Sequence, residues 1–291
     1  MSAVPVATPP PTHGPAFWRR ALGHRSFAIG AVLSLLLVLA ALLSYAWTPH
    51  SPYEIDMELK LLPPSGTYWF GTDAYGRDVA SLLLVGARSS IVVGVVAVSI
   101  GLIAGTAFGL LASARRGWVE ETIMRLADFG FAFPAILSAI MLTAVFGPGM
   151  VNAIIAIGIY NIPTFARITR ASANAVWSRE FVLAARACGK NAFSITMEHV
   201  LPNILSVLIV QATIRFAIAI LAEAALSYLG LGTQPPQPSW GRMLSEAQTL
   251  MFQAPLLAVF PGIAIALAVL GLNLLGDGLR DLFDPRLARK R

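Results

Sequence analysis

Two charged residues and a glutamine interrupt a long apolar stretch of this chain at about residues 201–229. Arg215 and Glu223 carry full charges there, and Gln211 lies four residues before Arg215. Charged side chains in such a stretch usually face the interior of a helix bundle or a water path, where they bind solutes or pair with other charges. Arg215 and Glu223 are two turns apart and roughly 80° around a helix, so they should not bridge each other. Gln211 shares the face of Arg215.

Two roles for these residues stay open. In the first, Gln211, Arg215 and Glu223 line a translocation path, and Arg215 attracts carboxylates or backbone carbonyls. In the second, Arg215 and Glu223 pair with a partner subunit or end near the membrane interface. An ion relay of Arg215, Glu223 and Asp128 would instead suit a stand-alone ion-coupled secondary transporter or channel, which is the alternative function.

A second candidate group lies in the loop at about residues 178–198, between two apolar stretches. The pattern suits short helices that lie along the membrane surface. Its paired alanines allow another backbone to approach closely, its glycine can leave a helix at the C-terminus, and its charged residues can contact a partner. An ordinary interfacial loop with positive charge is the alternative. The candidate contact residues are Glu180, Ala184, Ala185, Arg186, Gly189 and Lys190.

A third group flanks the second and fifth apolar stretches. Asp73 and Arg77 can pair at i, i+4, and Asp78 can cap a helix or bind a neighbour. Gln234 and Trp240 lie in a Pro-rich block that predicts a stiff loop. These five residues are candidates for an extracytoplasmic gate or for docking of an external protein. A loop scaffold is the favoured role for the first three.

The composition places the chain among helical membrane proteins. Of its 291 residues, 56% are apolar and only 12% are charged, too few charges to cover a soluble domain. Four charge-free runs contain 21, 26, 38 and 30 residues, and about 20 apolar residues are enough for a helix to cross the hydrocarbon core. The longest run contains Gly-Pro-Gly at 147–149, which predicts a tight hairpin of two spans. The six predicted spans are 27–47, 89–113, 129–146, 150–166, 201–225 and 255–276.

The placement of basic residues orients these spans. The side that holds both termini carries 16 Arg and Lys residues and the other side 4, so the positive-inside rule puts both termini in the cytoplasm. The pI near 9.9 reflects this asymmetry and not nucleic-acid binding. The first span is predicted to be a peripheral addition. The other predicted segments are a disordered Pro-rich cytoplasmic tail with an amphipathic lead-in at 1–26, an extracytoplasmic loop at 48–85, a core at 86–280 and a basic cytoplasmic tail at 281–291.

The sequence offers no residues for catalysis by this chain. Gly-Lys-Asn at 189–191 lacks the upstream glycine and the Ser/Thr of a Walker A loop, so another chain must hydrolyse any ATP. The four histidines lie outside the spans or at an edge, which leaves a Ser–His enzyme without a base in the membrane. No spacing of His, Cys and carboxylates suits a metal ion. We therefore expect no catalytic residue, no metal and no bound cofactor.

The loop at 178–198 resembles the cytoplasmic coupling loop of ABC-importer permeases, the EAA motif that contacts a separate ATPase. Leu183 occupies the position of the motif's glutamate, and Glu180, about one helical turn earlier, is a candidate replacement. The register otherwise matches at the Ala-Ala pair, the glycine and the Leu-Pro pair, which are Ala184–Ala185, Gly189 and Leu201–Pro202.

Three further blocks resemble the second, "C"-type permease subunit of dipeptide, oligopeptide and nickel importers. They read Gly-Thr-Asp-Ala-Tyr-Gly-Arg-Asp at 71–78, Leu-Gly-Leu-Gly-Thr-Gln-Pro-Pro-Gln-Pro-Ser-Trp-Gly at 229–241, and Asn-Leu-Leu-Gly-Asp-Gly-Leu-Arg-Asp at 273–281. In order and at similar spacing, they cover most of residues 66–286.

This resemblance implies a type I ABC-importer permease fold with six transmembrane helices and a cytoplasmic coupling helix, in the bacterial inner membrane. The implied partners are a second homologous permease subunit, one or two ABC ATPase subunits that bind ATP and Mg²⁺, and an extracytoplasmic solute-binding protein. The implied function is alternating-access import of short peptides or related solutes, including nickel chelates and glutathione.

Overall fold

The computed structural model describes residues 23–283, and within this range the chain forms helices and no named β-strand. Short turns of other helical types lie at Met57–Leu59, Thr196–Val200 and Gln248–Leu250. The α-helices are α1 (Arg25–Ala46), α2 (Val79–Arg115), α3 (Gly117–Ala132), α4 (Ala135–Phe146), α5 (Met150–Trp177), α6 (Glu180–Ala187), α7 (Ala192–Ile195), α8 (Leu201–Tyr228), α9 (Trp240–Ala247) and α10 (Leu256–Phe283).

Five helices between residues 23 and 283 are long and apolar enough to cross a membrane. They are α1, α2, α5, α10 and the continuous helix Ala192–Tyr228, of which α8 is the larger part. Each overlaps one of the predicted spans. An all-α polytopic membrane fold is therefore confirmed, whereas the predicted tails at either end lie largely outside the described residues.

The third predicted span, 129–146, differs from the structure. It is divided between α3 and α4, which meet at an angle of 85°. The break falls at Phe133 and Pro134, both with extended backbone, because a proline lacks the N–H for the helical ladder and disfavours helix in the preceding residue. With its 12 residues, α4 alone extends about 18 Å, short of the roughly 30 Å hydrocarbon core. The bundle thus has six spans only if the bent pair counts as one.

The most extensive helix pair, α2 with α5, packs through a row of glycines. Gly101, Gly105 and Gly109 recur every four residues on the face of α2 that meets α5. A Cβ atom on Gly105 would lie 2.6 Å from the carbonyl oxygen of Ile162 and 2.6 Å from Cβ of Phe165. Small residues at this spacing let two membrane helices approach backbone to backbone. This contact holds α2 and α5 together as one unit.

The first span packs at the edge of the bundle and is the least buried of the five long helices. α1 lies against α10, where a Cβ atom on Gly278 would be 2.6 Å from Cα of Phe27. Farther along α1, Leu37 and Ala41 are buried in the same apolar cluster as Leu82 of α2 and Ile220 of α8. Glycines on α10 provide part of the surface that α1 contacts.

The bundle has two ends, which we name by their residues. The basic end is where α2 and α5 finish and α8 begins, and α6 lies there. α3 also lies there, since Arg170 of α5 contacts Glu120 of α3 at 2.5 Å and Arg167 forms an ion pair with Asp128. The opposite end carries α9 and the turn between α4 and α5, where the amide of Gly149 donates to the carbonyl of Leu231.

Candidate functional site

At the basic end, α6 forms the helical part of the predicted coupling segment. Its one buried residue is Val182, which is fully buried in the apolar core. Gly189 has φ +82° and ends the helix, with its amide donating to the carbonyl of Arg186 at 3.0 Å. The amide of Lys190 reaches back to the carbonyl of Ala185 at 3.2 Å. This left-handed ending is the helix terminus that the sequence predicted for Gly189.

The rest of this segment faces outward. Glu180, Ala184, Arg186, Gly189 and Lys190 are exposed, and Ala185 is half-buried. Apolar side chains share the surface, since Leu183 is 51% exposed and Phe193 72%. A mixed surface of this kind, held by a single buried residue, is suited to contact another protein.

The charged residues of the segment have different local partners. Lys190 forms an ion pair with Glu198, and the guanidinium of Arg186 lies 5.4 Å from the ring centroid of Trp177. Glu180 has no ion-pair partner within residues 23–283. The position of Leu183 offers no carboxylate, so Glu180 is the free carboxylate of the outer face of α6.

A single helical rod connects this segment to the opposite end. α7 runs through the π-helical turn Thr196–Val200 into α8, and the whole helix Ala192–Tyr228 contains 37 residues. At 1.5 Å per residue it extends about 55 Å. π-Helical turns are rare and often occur at functional positions. Here the turn lies where the exposed segment joins the membrane-spanning helix.

At the opposite end, the predicted Asp73–Arg77 pair is present. The guanidinium of Arg77 contacts Asp73 at 2.6 Å and also Glu246 of α9 at 2.9 Å. Glu246 in turn accepts a hydrogen bond from Arg242 at 2.9 Å. This ladder of four charges joins the loop before α2 to α9. Sequence reasoning missed Glu246 as a partner of Arg77 because 169 residues separate the two.

Most of the docking candidates are structural in this fold. Asp78 caps α2 by accepting from the amide and the hydroxyl of Ser81 at 2.9 and 2.6 Å. Gln234 donates to the carbonyls of Gly230 and Gly232 within its own loop. Trp240 is only 3% exposed and donates from its indole N–H to the carbonyl of Leu83 at 3.0 Å. In this structure the indole of Trp240 offers no surface to a docking protein and instead anchors its loop to α2.

Glu223 is fully buried within the chain and faces the loop that follows α8. Its Oε1 accepts hydrogen bonds from Ser227 at 2.7 Å and Thr233 at 3.3 Å. Glu223 lies about 120° around α8 from Gln211. The structure therefore separates Glu223 from the other two path candidates and gives it a loop-positioning contact instead. With Asp128 paired to Arg167 at the other end of the bundle, these charges do not form one relay.

Gln211 and Arg215 lie on the face of α8 that borders a cavity. The cavity has a volume of about 230 Å³ and lies between α4, α5 and α8. It is apolar except for Tyr160 and Asn161, two residues of α5 that sequence reasoning did not select. Adjacent Tyr and Asn residues in the middle of an apolar span are a sequence signal that could have identified these two residues. Within residues 23–283, no cluster of His, Cys, Asp and Glu could hold a metal ion.

Comparison with known proteins gives this architecture its family. Residues 78–289 match the model for the binding-protein-dependent transport system inner membrane component. The chain belongs to this family. Residues 16–64 match a second model, the N-terminal transmembrane domain of oligopeptide transport permease C. Membership of this permease family agrees with the resemblance seen in the sequence blocks.

Relatives in this permease family are similar along nearly their whole length. The glutathione transport system permease protein GsiD of Pectobacterium atrosepticum is 42% identical over 272 residues, which cover 93% of this chain and 90% of the relative. The dipeptide transport system permease protein DppC of Alkalihalophilus pseudofirmus is 41% identical over 297 residues, covering 98% of both. A chain of the MetNI methionine ABC transporter, solved in inward-facing conformations, covers 70% of this chain and 97% of its own length with a TM-score of 0.59 at 18% identity. That likeness shows a shared fold.

Proposed function

We propose that this permease forms half of the transmembrane path of an ATP-driven importer for short peptides. One observation carries the proposal: a continuous 37-residue helix begins beside the exposed surface of α6 and borders an open cavity between α4, α5 and α8. Relatives named as glutathione and dipeptide permeases support the solute class. The bacterial inner membrane, with both termini in the cytoplasm, is the proposed location.

The surface around α6 is the proposed contact for one or two ABC ATPase subunits, which would bind ATP and Mg²⁺ themselves. Ala184 and Ala185 permit close approach, and Arg186 and Lys190 add charge. Leu183, being half-exposed, supplies an apolar contact where the EAA motif has a carboxylate. Glu180, exposed in the first turn of α6, supplies the nearest carboxylate.

A second, homologous permease is the proposed partner for α4. This short helix exposes a row of apolar side chains at four-residue spacing, where Leu137 is 52%, Met141 62% and Val145 78% exposed. Beside it, the break at Phe133 and Pro134 interrupts the helical ladder. Irregular backbone at membrane depth needs cover from protein or from a water-filled cavity. A partner subunit with a central path between the two chains supplies both.

An extracytoplasmic solute-binding protein is the proposed partner of the opposite end. The charge ladder from Asp73 to Arg242 and the capping contact of Asp78 give this end a fixed shape. Among the predicted docking residues, Gln234 is half-buried and supports its loop from inside. We assign docking to the exposed parts of the same loop, at 235–237.

Co-purification tests the proposal. The chain is tagged at its C-terminus, purified from native membranes in mild detergent, and its partners are identified by mass spectrometry. Recovery of a second six-span permease with one or two ATPases, and ATP-dependent peptide uptake after reconstitution, are the expected results. A chain recovered alone or as a homo-oligomer, and active without ATP, would overturn the proposal in favour of a stand-alone transporter.

A further inference from the structure

The cavity between α4, α5 and α8 has the composition of half a binding site. Its volume of about 230 Å³ lies below the ~300–1,000 Å³ of complete small-molecule sites. A second subunit facing α4 would enclose the remainder. Its walls are mostly apolar, from residues such as Ile136, Ile157 and Leu221, with Tyr160 and Asn161 as polar groups. Such walls suit an apolar side chain.

Arg215 lies next to this cavity on the same face of α8. The cavity residues Ile218, Ala222 and Ala225 continue at helical spacing to Arg215 and then to Gln211. The cation therefore lies about one turn from the cavity, toward the basic end.

Arg215 lacks a counter-ion within residues 23–283. No ion pair, hydrogen bond or ring contact within this range satisfies its guanidinium, and its Nε is buried and unpaired. Other arginines of the described chain, such as Arg77, Arg167 and Arg170, each contact a carboxylate. An unpaired cation inside a membrane bundle is costly and usually serves a transported or bound group.

Building on the proposed function, we propose that Arg215 binds a free carboxylate of the transported peptide while the cavity takes an adjacent apolar side chain. The planar guanidinium presents paired donors that match the two oxygens of a carboxylate. A peptide whose carboxylate is blocked as an amide offers no negative charge to this fork. The site therefore selects free acids over amides, a preference that belongs to the permease and adds to that of any binding protein.

The test uses the reconstituted complex of the permease with its partner permease, ATPases and binding protein. Uptake of alanyl-leucine is compared with that of alanyl-leucine amide for the wild type, Arg215→Gln and Arg215→Lys. The binding protein is the same throughout, so a change in the acid-to-amide ratio reports the permease alone. Arg88→Gln is the matched control, since Arg88 is an α2 arginine that stacks on Tyr45 of α1.

Loss of a charge-assisted hydrogen bond should lower the acid-to-amide ratio of kcat/KM about tenfold to hundredfold in Arg215→Gln. Arg215→Lys should be intermediate, and Arg88→Gln should match the wild type. An unchanged ratio in Arg215→Gln would overturn the inference while leaving ATP-driven import intact. Loss of the second permease on purification of Arg215→Gln would overturn it too, by assigning Arg215 to a carboxylate of the partner. Failure of the wild type to import either peptide with ATP would instead count against the proposed function.

Discussion

Gly189 offers a direct test of whether α6 transmits force from an ATPase. The residue has φ +82°, and a Cβ atom placed on it would meet nothing within 4 Å. A substitution there changes the backbone preference without creating a clash inside the chain. Gly189→Val should therefore leave the bundle folded, while the ending of α6 loses its preferred geometry.

The magnitude follows from the left-handed backbone. An L-residue in this conformation costs roughly 1–2 kcal/mol, and Asn less than others. A penalty of this size lowers the population of the native turn about 5–30-fold relative to alternatives. The two hydrogen bonds that close the turn, from Gly189 and Lys190, would be lost together. We expect Gly189→Val to lose most of the ATPase stimulation by solute-loaded binding protein, and Gly189→Asn to keep it.

The assay measures ATP hydrolysis by the assembled complex with and without solute-loaded binding protein. Gly117→Val is the matched control, because Gly117 has φ +61° and equally open surroundings, but lies at the start of α3 and outside α6. The control should assemble and retain stimulation. Full stimulation in Gly189→Val, with a correctly assembled complex, would refute the role of this turn in coupling.

Three other predictions concern packing, buried polar contacts and orientation. Gly105→Leu should lower the thermal midpoint of the purified chain, because overpacking costs ~1–3 kcal/mol and the row of glycines holds α2 to α5. Gly262→Leu, at an open helical position, should leave the midpoint unchanged. Equal midpoints for the two variants would contradict the packing role of Gly105. Glu223→Leu should destabilise the loop after α8 by about 1–3 kcal/mol, because the hydroxyls of Ser227 and Thr233 lose their shared acceptor. Glu223→Gln keeps an oxygen acceptor at this position. Proteolysis of the loop should therefore be faster only in the leucine variant. Cys188 is the one cysteine and is exposed beside Gly189, so a membrane-impermeant maleimide should label inverted vesicles and not intact spheroplasts; labelling of spheroplasts would place α6 on the outer side.

Local patterns in the sequence predicted much of this structure. The hairpin at 147–149, the Asp73–Arg77 pair, the cap by Asp78 and the ending of α6 at Gly189 each depend on neighbours within a few residues. Such features follow from backbone geometry and short-range hydrogen bonds. Pro134 was a local signal for the break between α3 and α4. The apolar run around it was continuous, however, so residues 129–146 were predicted as one span.

Features that depend on distant partners were not predictable from one sequence. Glu246 meets Arg77 across 169 residues, and no local pattern pairs them. Trp240 was expected at the surface because it lies in a Pro-rich loop. Its indole instead packs against α2, where Gly86 has no side chain and leaves room for it. The row of glycines on α2 carried a recognisable small-residue signal, although not the identity of its partner helix.

The packing of α1 against α10 has a consequence for biosynthesis. These are the first and last long helices between residues 23 and 283, and Phe27 and Gly278 are about 250 residues apart. At ~5–20 residues per second, α1 waits roughly 10–50 s in the bilayer before α10 is made. α1 has the highest mean hydropathy of the five long helices, 2.6 against 1.3 for α5. α1 can pack against α2 soon after α2 is made, but its contact with α10 forms only when the last long helix is inserted, and its high hydropathy keeps it in the bilayer until then.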